Sequence, residues 1–347
     1  MKIAFFEIEP WEAEYVKQRL PNIELSFSEA KLNKDNLPEI LRQSSGQADF
    51  DAVSVFVGSE VKKEVIDAFP NLQLIATRST GFDHIDLEIV KARGIKTGYV
   101  PGYGDNTVAE FAFALLLSFS RKIFEAVRRV KEDENFSFDG LQGFDLNGKT
   151  IGIVGVGRIG KFMVKIAKGF GMNVLAYDAY PNEILSKEIG FSYVSLDDLL
   201  ANSDVISLHI PYTETSHNFI DLEKINKMKK GAILINTARG GLVKIEDIVR
   251  ALTDGILGGY CTDVLKEEGI IKDERAFLLY GHPEGHNLKA VLADHVLMEM
   301  PNVIVTPHNA FNTKEAIQRI LDADIENIKS FIEAGETKYQ IPLVAKS

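Results

Sequence analysis

The chain has 347 residues, of which 45% are hydrophobic and 26% are charged, and this composition is typical of globular proteins. A chain of this length typically folds into two domains, each with its own core. The net charge of −11 disfavours binding to nucleic acids and to anionic membranes, because both carry negative charge themselves.

A single cysteine, Cys261, excludes an intramolecular disulfide, and its apolar surroundings predict a buried thiol rather than a nucleophile. The N-terminal stretch MKIAFFEIEPWEAEY does not resemble a signal peptide, because its apolar run is short and acidic residues follow at once. The longest apolar run, FAFALLLSF, is too short to span a bilayer. We therefore expect a cytoplasmic protein.

Short apolar runs alternate with helical patterns over the first hundred residues. The predicted strands are KIAFFEI, IELSF, DAVSVFV, LQLIAT and IKTGYV, and helices are predicted to begin near Glu12, Asn36, Glu60 and Asp86. Strands that alternate with helices in this way form parallel sheets. The sequence therefore predicts the α/β class.

A longer helix is predicted to run from about Asn106 to Lys131. Asn106 and Thr107 are suitable caps, and Glu110 lies in the first turn. Because apolar residues nearly encircle this segment, we expect it to be buried between domains or subunits, which favours a homodimer. The polar, glycine-containing stretch KEDENFSFDGLQGFDLNGK that follows is predicted to form a surface loop.

The stretch KTIGIVGVGRIGKFMVKIAKGFGMNVLAYD, from Lys149 to Asp178, contains a GxGxxG pattern between a predicted strand and a predicted helix. Gly155 permits a tight turn, Gly157 lets the backbone approach a pyrophosphate, and Gly160 lets helix and strand pack closely. The N-terminus of the helix offers N–H groups and a partial positive charge to the phosphates. The pattern therefore predicts a dinucleotide-binding loop.

A second apolar strand, NVLAYD, ends in Asp178. A carboxylate at this place reaches the adenosine ribose hydroxyls. Its charge would repel a 2′-phosphate, and the next residues, Ala179 and Tyr180, supply no cation. The sequence therefore predicts NAD(H) rather than NADP(H) as the cofactor.

Later strands of this second unit are predicted at DVISLHI, AILINT, GGYCTDV and VIVTP, and a last helix from about Thr313 to Ala334. Arg239 follows AILINT, Glu268 lies five residues after Asp263 at the end of GGYCTDV, and His308 follows VIVTP. Ligands of doubly wound sheets bind at the carboxyl ends of the strands, so we expect these side chains to lie together near the dinucleotide.

These three residue types suit hydride transfer to a 2-oxo acid. An arginine fork binds a carboxylate and polarises the keto oxygen. Histidine donates the proton that this oxygen needs when hydride reaches the carbonyl carbon. A neighbouring glutamate would favour the imidazolium and orient the ring, while the cofactor carries the hydride.

The stretches GIVGVGRIG, HIPYTETSHNFI, MKKGAILINTARGGLV, GGYCTDVLKEE and VIVTPHNAF, with STGFDHIDL and VPGYGDNTVAEFAFALLLSFSR earlier in the chain, carry a family resemblance. The chain resembles the NAD-dependent D-isomer-specific 2-hydroxyacid dehydrogenases along nearly its whole length. Within that family RSTGFDHID, VPGYGDNTVAE and TPHNAFNT are most similar to the D-lactate dehydrogenase branch.

The resemblance implies that Arg239 binds and polarises the substrate, that Glu268 supports the histidine, and that His308 is the acid/base. It implies a set of cofactor contacts: Arg158 and Ile159 at the pyrophosphate, Asp178 at the ribose, His209, Ile210 and Pro211 at the adenine, Thr237 and Ala238 at the nicotinamide ribose, and Asp263 at the carboxamide. It implies a substrate carboxylate bound by the backbone of Ser79, Thr80 and Gly81, with Tyr103 beside it.

The resemblance also implies two doubly wound parallel-sheet domains, with a Rossmann-type NAD domain inserted in a flavodoxin-like substrate domain. The substrate domain would comprise residues 1–101 and 309–347. The NAD-binding domain would comprise residues 102–308, including the long helix near 106–131, and the family's assembly is a homodimer.

Two stretches depart from the family's common pattern. The first is VLKEEG, where many members have an aromatic residue before their glutamates; counting from Asp263 selects Glu268 over Glu267. The second is the insert at 269–295, which contains His282, His286 and His295. Their spacing in a Gly- and Pro-containing stretch without cysteine partners does not favour a metal, and no metal is expected.

The reaction favoured by the sequence is the reduction of pyruvate to D-lactate. A branched-chain 2-oxo acid, glyoxylate or hydroxypyruvate remains an alternative, with Phe56, Val57, Tyr103 and Phe311 as candidate substrate-lining residues. Arg78 is the one basic residue near the substrate loops, which disfavours a phosphorylated substrate, and a structural ion pair is an equal interpretation of it. An NAD-sensing protein like the family's corepressors is a further alternative, disfavoured because all three catalytic candidates are present.

Overall fold

The computed structural model describes residues 1–43, 49–266, 268 and 288–342. The chain divides into two compact units, Met1–Tyr103 with Thr313–Ser347, and Gly104–Asn312. The predicted domain boundaries lie at 101/102 and 308/309. Each unit contains one parallel sheet whose strands are joined by helices, so the predicted α/β class with two parallel-sheet domains is confirmed.

The first unit contains a five-stranded sheet in the order β2-β1-β3-β4-β5. Its strands are β1 (Lys2–Phe6), β2 (Glu24–Ser28), β3 (Ala52–Val55), β4 (Leu74–Thr77) and β5 (Lys96–Gly98). Its helices are α1 (Pro10–Arg19), α2 (Leu37–Gln43), α3 (Lys63–Asp67), α4 (Leu87–Ala92) and α13 (Lys314–Ala334). All five strands predicted in the first hundred residues are present, and the predicted last helix is α13.

The second unit contains a seven-stranded sheet in the order β12-β11-β10-β9-β6-β7-β8. Its strands are β6 (Thr150–Val154), β7 (Asn173–Tyr177), β8 (Ser192–Tyr193), β9 (Val205–Leu208), β10 (Ala232–Asn236), β11 (Leu257–Thr262) and β12 (Val303–Val305). Its helices are α5 (Asp105–Ser120), α6 (Ile123–Lys131), α7 (Gly160–Gly169), α8 (Glu183–Ile189), α9 (Leu196–Asn202), α10 (Leu222–Ile225), α11 (Ile245–Thr253) and α12 (Leu288–Glu299). The strands β7 and β8 lie on one side of β6, and the strands β9 to β12 lie on its other side. The point where the strand order reverses, the switch point of this sheet, therefore lies between β6 and β9.

Strands β9 and β10 are buried at every residue. Central strands of a parallel sheet are covered on both faces, and their sequences therefore read as nearly continuous apolar runs. This explains why VISL and AILIN were recognisable in the sequence.

The single helix predicted from Asn106 to Lys131 is wrong, because two helices, α5 and α6, occupy this segment. Lys122 lies between them with φ 51°, and this left-handed conformation interrupts a right-handed helix. The backbone N–H of Phe144 donates to the carbonyl of Ser120 at 3.0 Å, which gives the end of α5 a partner outside the helix. Helix α5 packs within the core of its own unit, whereas α6 has no buried residue.

The Cys261 thiol is buried as predicted, and burial raises its pKa. Among the described residues, no helix is both long and apolar enough to cross a membrane. In the same part of the chain, no group of three or more His, Cys, Asp or Glu side chains is arranged to hold a metal ion. Of the three histidines in the insert, His282 and His286 lie outside the described residues.

The Arg78 side chain is a structural group of the first unit. It is 2% exposed and donates to Ser54 Oγ at 2.9 Å and to the carbonyls of Phe6 and Glu7 at 2.6 and 2.7 Å. Ser54 Oγ in turn donates to Asp324 Oδ2 of α13 at 2.8 Å. Buried charges persist in proteins when they are hydrogen-bonded in this way, so Arg78 is a structural residue, although a hydroxyl and backbone carbonyls rather than the carboxylate of an ion pair accept its hydrogen bonds.

The buried Asp324 makes the stability of the first unit depend on pH. Burial raises the pKa of Asp324 from 3.8 to about 6, against the opposing effects of Arg78 and Ser54. The folded protein then binds more protons than the unfolded chain between about pH 4 and pH 6. The contribution of Asp324 to the free energy of unfolding therefore falls as pH rises through that window. The Asp324→Asn variant lacks this loss.

We expect the free energy of unfolding of the wild type, relative to that of Asp324→Asn, to fall by roughly 2 kcal/mol from pH 4 to pH 7, because the pKa of Asp324 is raised to about 6. Urea denaturation of both proteins across this range measures the difference. Glu333→Gln, which changes an exposed carboxyl group of the same helix, serves as the control. Parallel pH profiles for the wild type and Asp324→Asn would contradict the prediction.

Candidate active site

The glycine-rich loop follows β6 and leads into α7. Gly155 has φ 94°, and a Cβ there would lie 2.7 Å from the carbonyl oxygen of His209. A Cβ at Gly160 would lie 2.1 Å from the carbonyl oxygen of Gly155, whereas one at Gly157 would meet no atom within 4 Å. The loop is therefore closely packed at its two ends and open at its centre, where the sequence predicts the pyrophosphate.

The carboxylate of Asp178, which follows β7, holds this loop. Its Oδ2 accepts the backbone N–H of Val156 at 2.8 Å, and its Oδ1 accepts the backbone N–H of Tyr180 at 2.9 Å. The contact with Val156 fixes the loop between its first two glycines and was not predicted. Arg158, also in the loop, pairs with Asp105 at the start of α5 with an N–O distance of 3.0 Å.

His209, Ile210 and Pro211 follow β9, next to β6 at the switch point. The His209 ring is packed among protein atoms, and burial lowers its pKa to about 3. It is therefore neutral at physiological pH, with Nε2 2.8 Å from Ser207 Oγ. A neutral ring at this place adds no charge beside a bound nucleotide.

The turn after β10 carries Thr237, Ala238 and Arg239. The buried side chain of Asn236 shapes it, because Nδ2 donates to the Arg239 carbonyl at 2.9 Å and Oδ1 accepts the Ala238 N–H at 3.1 Å. The sequence pattern did not predict this role of Asn236, which lies at the end of an apolar strand. The Thr237 hydroxyl is buried and has no hydrogen-bond partner within the described part of the chain.

His308 and Glu268 are in direct contact. His308 Nδ1 lies 2.9 Å from Glu268 Oε2, while Glu268 Oε1 accepts the backbone N–H of Leu265 at 3.1 Å. Both carboxylate oxygens are thus engaged, one by the ring and one by the backbone. His308 itself has φ 53°, a left-handed conformation that is uncommon among non-glycine residues, although histidine adopts it more often than most.

The buried carboxylate of Asp263 supports the turn that carries His308. Its Oδ1 accepts Thr306 Oγ1 at 2.6 Å and the Asn309 N–H at 2.8 Å, and its Oδ2 accepts the Ala310 N–H at 2.7 Å. Burial raises the pKa of Asp263, although these hydrogen bonds oppose the effect. Donors on both sides of His308 are therefore bound to one side chain.

A cavity of about 1010 Å³ opens beside these residues within the second unit. His308, Glu268 and Asp263 contribute to its lining, together with the aromatic rings of Phe119 and Phe144. The strand order places β10, β11 and β12 side by side, so the turns that carry Arg239, Asp263 and His308 lie at one edge of the sheet.

The residues predicted to bind a carboxylate in the first unit form a preorganised turn after β4. Ser79 Oγ donates to the Gly81 carbonyl at 2.6 Å, and Thr80 Oγ1 donates to the Val100 carbonyl at 2.7 Å. The backbone N–H groups of Ser79, Thr80 and Gly81 donate to no group in the described residues. The carbonyl of Tyr103 accepts Arg319 Nε at 2.5 Å.

The described residues fit a bound dinucleotide. The open face at Gly157, the carboxylate at Asp178 and the unpartnered buried hydroxyl of Thr237 follow three different strands of the same sheet. A buried polar group without a partner costs free energy, which a cofactor hydroxyl at Thr237 would offset.

The family model described as D-isomer specific 2-hydroxyacid dehydrogenase, NAD binding domain, matches residues 113–310. The chain is 36% identical to a 2-hydroxyacid dehydrogenase homolog of Zymomonas mobilis, over 97% of this chain and 98% of that one. It is 33% identical to D-lactate dehydrogenase of Escherichia coli, again over 97% and 98%. A solved structure of D-lactate dehydrogenase from Aquifex aeolicus, complexed with NAD and lactic acid, is 35% identical with a TM-score of 0.81 and covers 96% of both chains.

We expect Asp178→Asn to weaken NADH binding about tenfold, because the amide replaces an acceptor of the Val156 N–H with a donor. The same change removes a negative charge, so the ratio of NADPH to NADH dissociation constants should fall. Fluorescence titration with both nucleotides measures this ratio. Asp254→Asn, at an exposed position after α11, is the matched control, and an unchanged ratio in Asp178→Asn would contradict the assignment.

Proposed function

Since this chain belongs to the NAD-dependent D-isomer-specific 2-hydroxyacid dehydrogenases, we propose that it reduces pyruvate to D-lactate with NADH. The observation that carries the proposal is the 2.9 Å contact between His308 and Glu268, in the unit that also contains the glycine loop. Similarity to D-lactate dehydrogenases over nearly the full length of this chain supports pyruvate as the acid.

When bound, NADH would supply the hydride that reduces the carbonyl carbon. His308 donates a proton to the keto oxygen as negative charge develops there, and in the reverse direction it accepts the proton. Glu268 binds Nδ1 and so fixes the orientation of the ring. Nε2 is then the ring nitrogen that exchanges the proton with the substrate. Asp263 and the left-handed backbone at His308 keep the ring in that place.

Arg239 is assigned to the substrate carboxylate and keto oxygen. A guanidinium is permanently charged and planar, so it matches a carboxylate with two parallel hydrogen bonds. The Asn236 side chain fixes the backbone of Arg239 by accepting and donating within the same turn. This rigid backbone limits the positions that the Arg239 guanidinium can take.

The turn after β4, in the first unit, is suited to binding a carboxylate. We assign this binding to the N–H groups of Ser79, Thr80 and Gly81, with Tyr103 beside them. The side-chain hydrogen bonds of Ser79 and Thr80 hold this turn in one conformation, so little ordering is needed when an anion binds.

We also assign the protein to the cytoplasm, where NADH and 2-oxo acids are supplied, and to a homodimer formed through α6. One face of α6 exposes Ile123, Phe124, Val127 and Val130, each between 46% and 57%. The stretch that follows exposes Phe136 at 92% and Phe138 at 84%. A contiguous apolar surface of this kind marks an interface, and a second copy of the chain would bury it.

His308→Ala is expected to lower kcat by a factor of about 10² to 10⁴, the usual contribution of a general acid. NADH binding should change less than about twofold, because the substitution lies in the turn after β12 rather than in the glycine loop. Absorbance at 340 nm with pyruvate follows turnover, and fluorescence titration follows binding. His295→Ala on α12 is the matched control, and a His308→Ala enzyme that keeps more than about a tenth of the wild-type kcat would exclude the assigned role.

Sedimentation velocity at micromolar concentration should give twice the mass of the 38.6-kDa chain. Val127→Glu places a charge in the apolar face of α6 and should produce monomers, because an unpaired charge is costly to bury. Leu292→Glu changes an apolar residue of α12 that is 66% exposed, and this variant should remain dimeric. A monomeric wild type would rule out the homodimer.

A further inference from the structure

The turn after β3 is held by a carboxylate from a neighbouring strand. Glu7, which follows β1, accepts the backbone N–H of Gly58 at 2.9 Å and that of Phe56 at 3.2 Å. It also accepts the hydroxyl of Ser59 at 2.6 Å. One side chain therefore binds three groups of a four-residue turn.

The fit between this carboxylate and the turn is close. A Cβ at Gly58 would lie 2.3 Å from Glu7 Oε1, so a larger residue there would displace the carboxylate from its present position. The Ser59 hydroxyl, besides donating to Glu7, accepts the backbone N–H of Leu32 at 2.9 Å. The turn is thus fixed from both sides.

Glu7 is itself fixed by its surroundings. Its φ of 53° is left-handed, a conformation that persists in a non-glycine residue only where neighbouring contacts impose it. Its N–H donates to the Ala30 carbonyl at 3.0 Å, and its carbonyl accepts Arg78 Nη2 at 2.7 Å. The arginine directly precedes Ser79, so these contacts connect the turn after β3 with the turn assigned to the substrate carboxylate.

Strands β1, β3 and β4 are adjacent in the sheet, and their carboxyl ends carry Glu7, Phe56 and Arg78. Phe56 and Val57 are candidate residues for the substrate side chain, and Val57 is 40% exposed. The contacts of Glu7 fix the backbone of this turn, and the Phe56 ring lies 6.0 Å from the guanidinium carbon of Arg78, the residue before Ser79.

We propose that Glu7 is a positioning residue that sets the size of the acid side chain the enzyme accepts, by holding Phe56 and Val57 at a fixed distance from the turn at Ser79. This inference rests on the proposed 2-oxo acid reductase function. Glu7 acts through the turn and does not itself contact the substrate.

The test compares the wild type with Glu7→Gln. This variant keeps the size of the side chain but replaces one carboxylate oxygen with an NH₂ group, which cannot accept hydrogen bonds from the N–H groups of Phe56 and Gly58 or from the Ser59 hydroxyl. We expect KM for pyruvate to rise about tenfold, with kcat and KM for NADH within about twofold of the wild type. The ratio of kcat/KM for pyruvate to that for 2-oxo-4-methylpentanoate should fall about tenfold, because a released turn admits a larger side chain. Ser59→Ala, which removes one of the three hydrogen bonds to Glu7 together with the acceptor of the Leu32 N–H, should shift this ratio in the same direction by a smaller factor.

Glu29→Gln, an exposed glutamate after β2, is the matched control and should keep the wild-type ratio. Amide hydrogen exchange at Phe56 and Gly58 provides a second readout that needs no turnover, and Glu7→Gln should speed it about tenfold. Unchanged exchange, or an unchanged ratio between the two acids, would overturn the inference. If the wild type reduces no 2-oxo acid, the proposed function fails, and the exchange rates still decide whether Glu7 holds the turn.

Discussion

The buried carboxylate of Asp263 determines where His308 lies. It is 1% exposed and binds donors on both sides of His308. A carboxylate removed from water requires such donors. Asp263 can therefore be buried only when the turn that carries His308 is in the position that supplies them. Glu268 then needs to supply only the orientation of the ring.

The same arrangement occurs three times in the described chain. Glu7 follows β1 and binds the turn after β3, Asp178 follows β7 and binds the turn after β6, and Asp263 follows β11 and binds the turn after β12. In each case the two strands are neighbours in a parallel sheet. Backbone N–H groups beyond the carboxyl end of a strand lose their ladder partners, and a carboxylate from the next strand provides an acceptor. This places negative side chains and ordered turns at the edge of each sheet where ligands bind.

Much of this fold could be predicted from sequence, because the period of apolar residues reports strands and helices directly. The helix break at Lys122 could not, since it depends on a contact between Ser120 and Phe144, residues that lie far apart in the chain. The choice of Glu268 over Glu267 rested on counting, and the structure brings Glu268 into contact with His308.

The contacts of the three carboxylates could not be predicted from sequence patterns either, because they join residues that are far apart in the chain. Asp263 and Ala310 are 47 residues apart and Glu7 and Gly58 are 51 apart, and no local spacing relates them. The role of Arg78 was open because a strand-end arginine suits both a ligand and a buried network. Only the positions of Ser54 and Asp324 distinguish these two possibilities.

The most direct test of the account is the configuration of the product. Pyruvate and NADH would be incubated with the purified protein, and the lactate formed would be separated by chiral chromatography. The account predicts D-lactate in amounts equal to the NADH consumed. Formation of L-lactate, or no lactate at all while NADH binds, would contradict it.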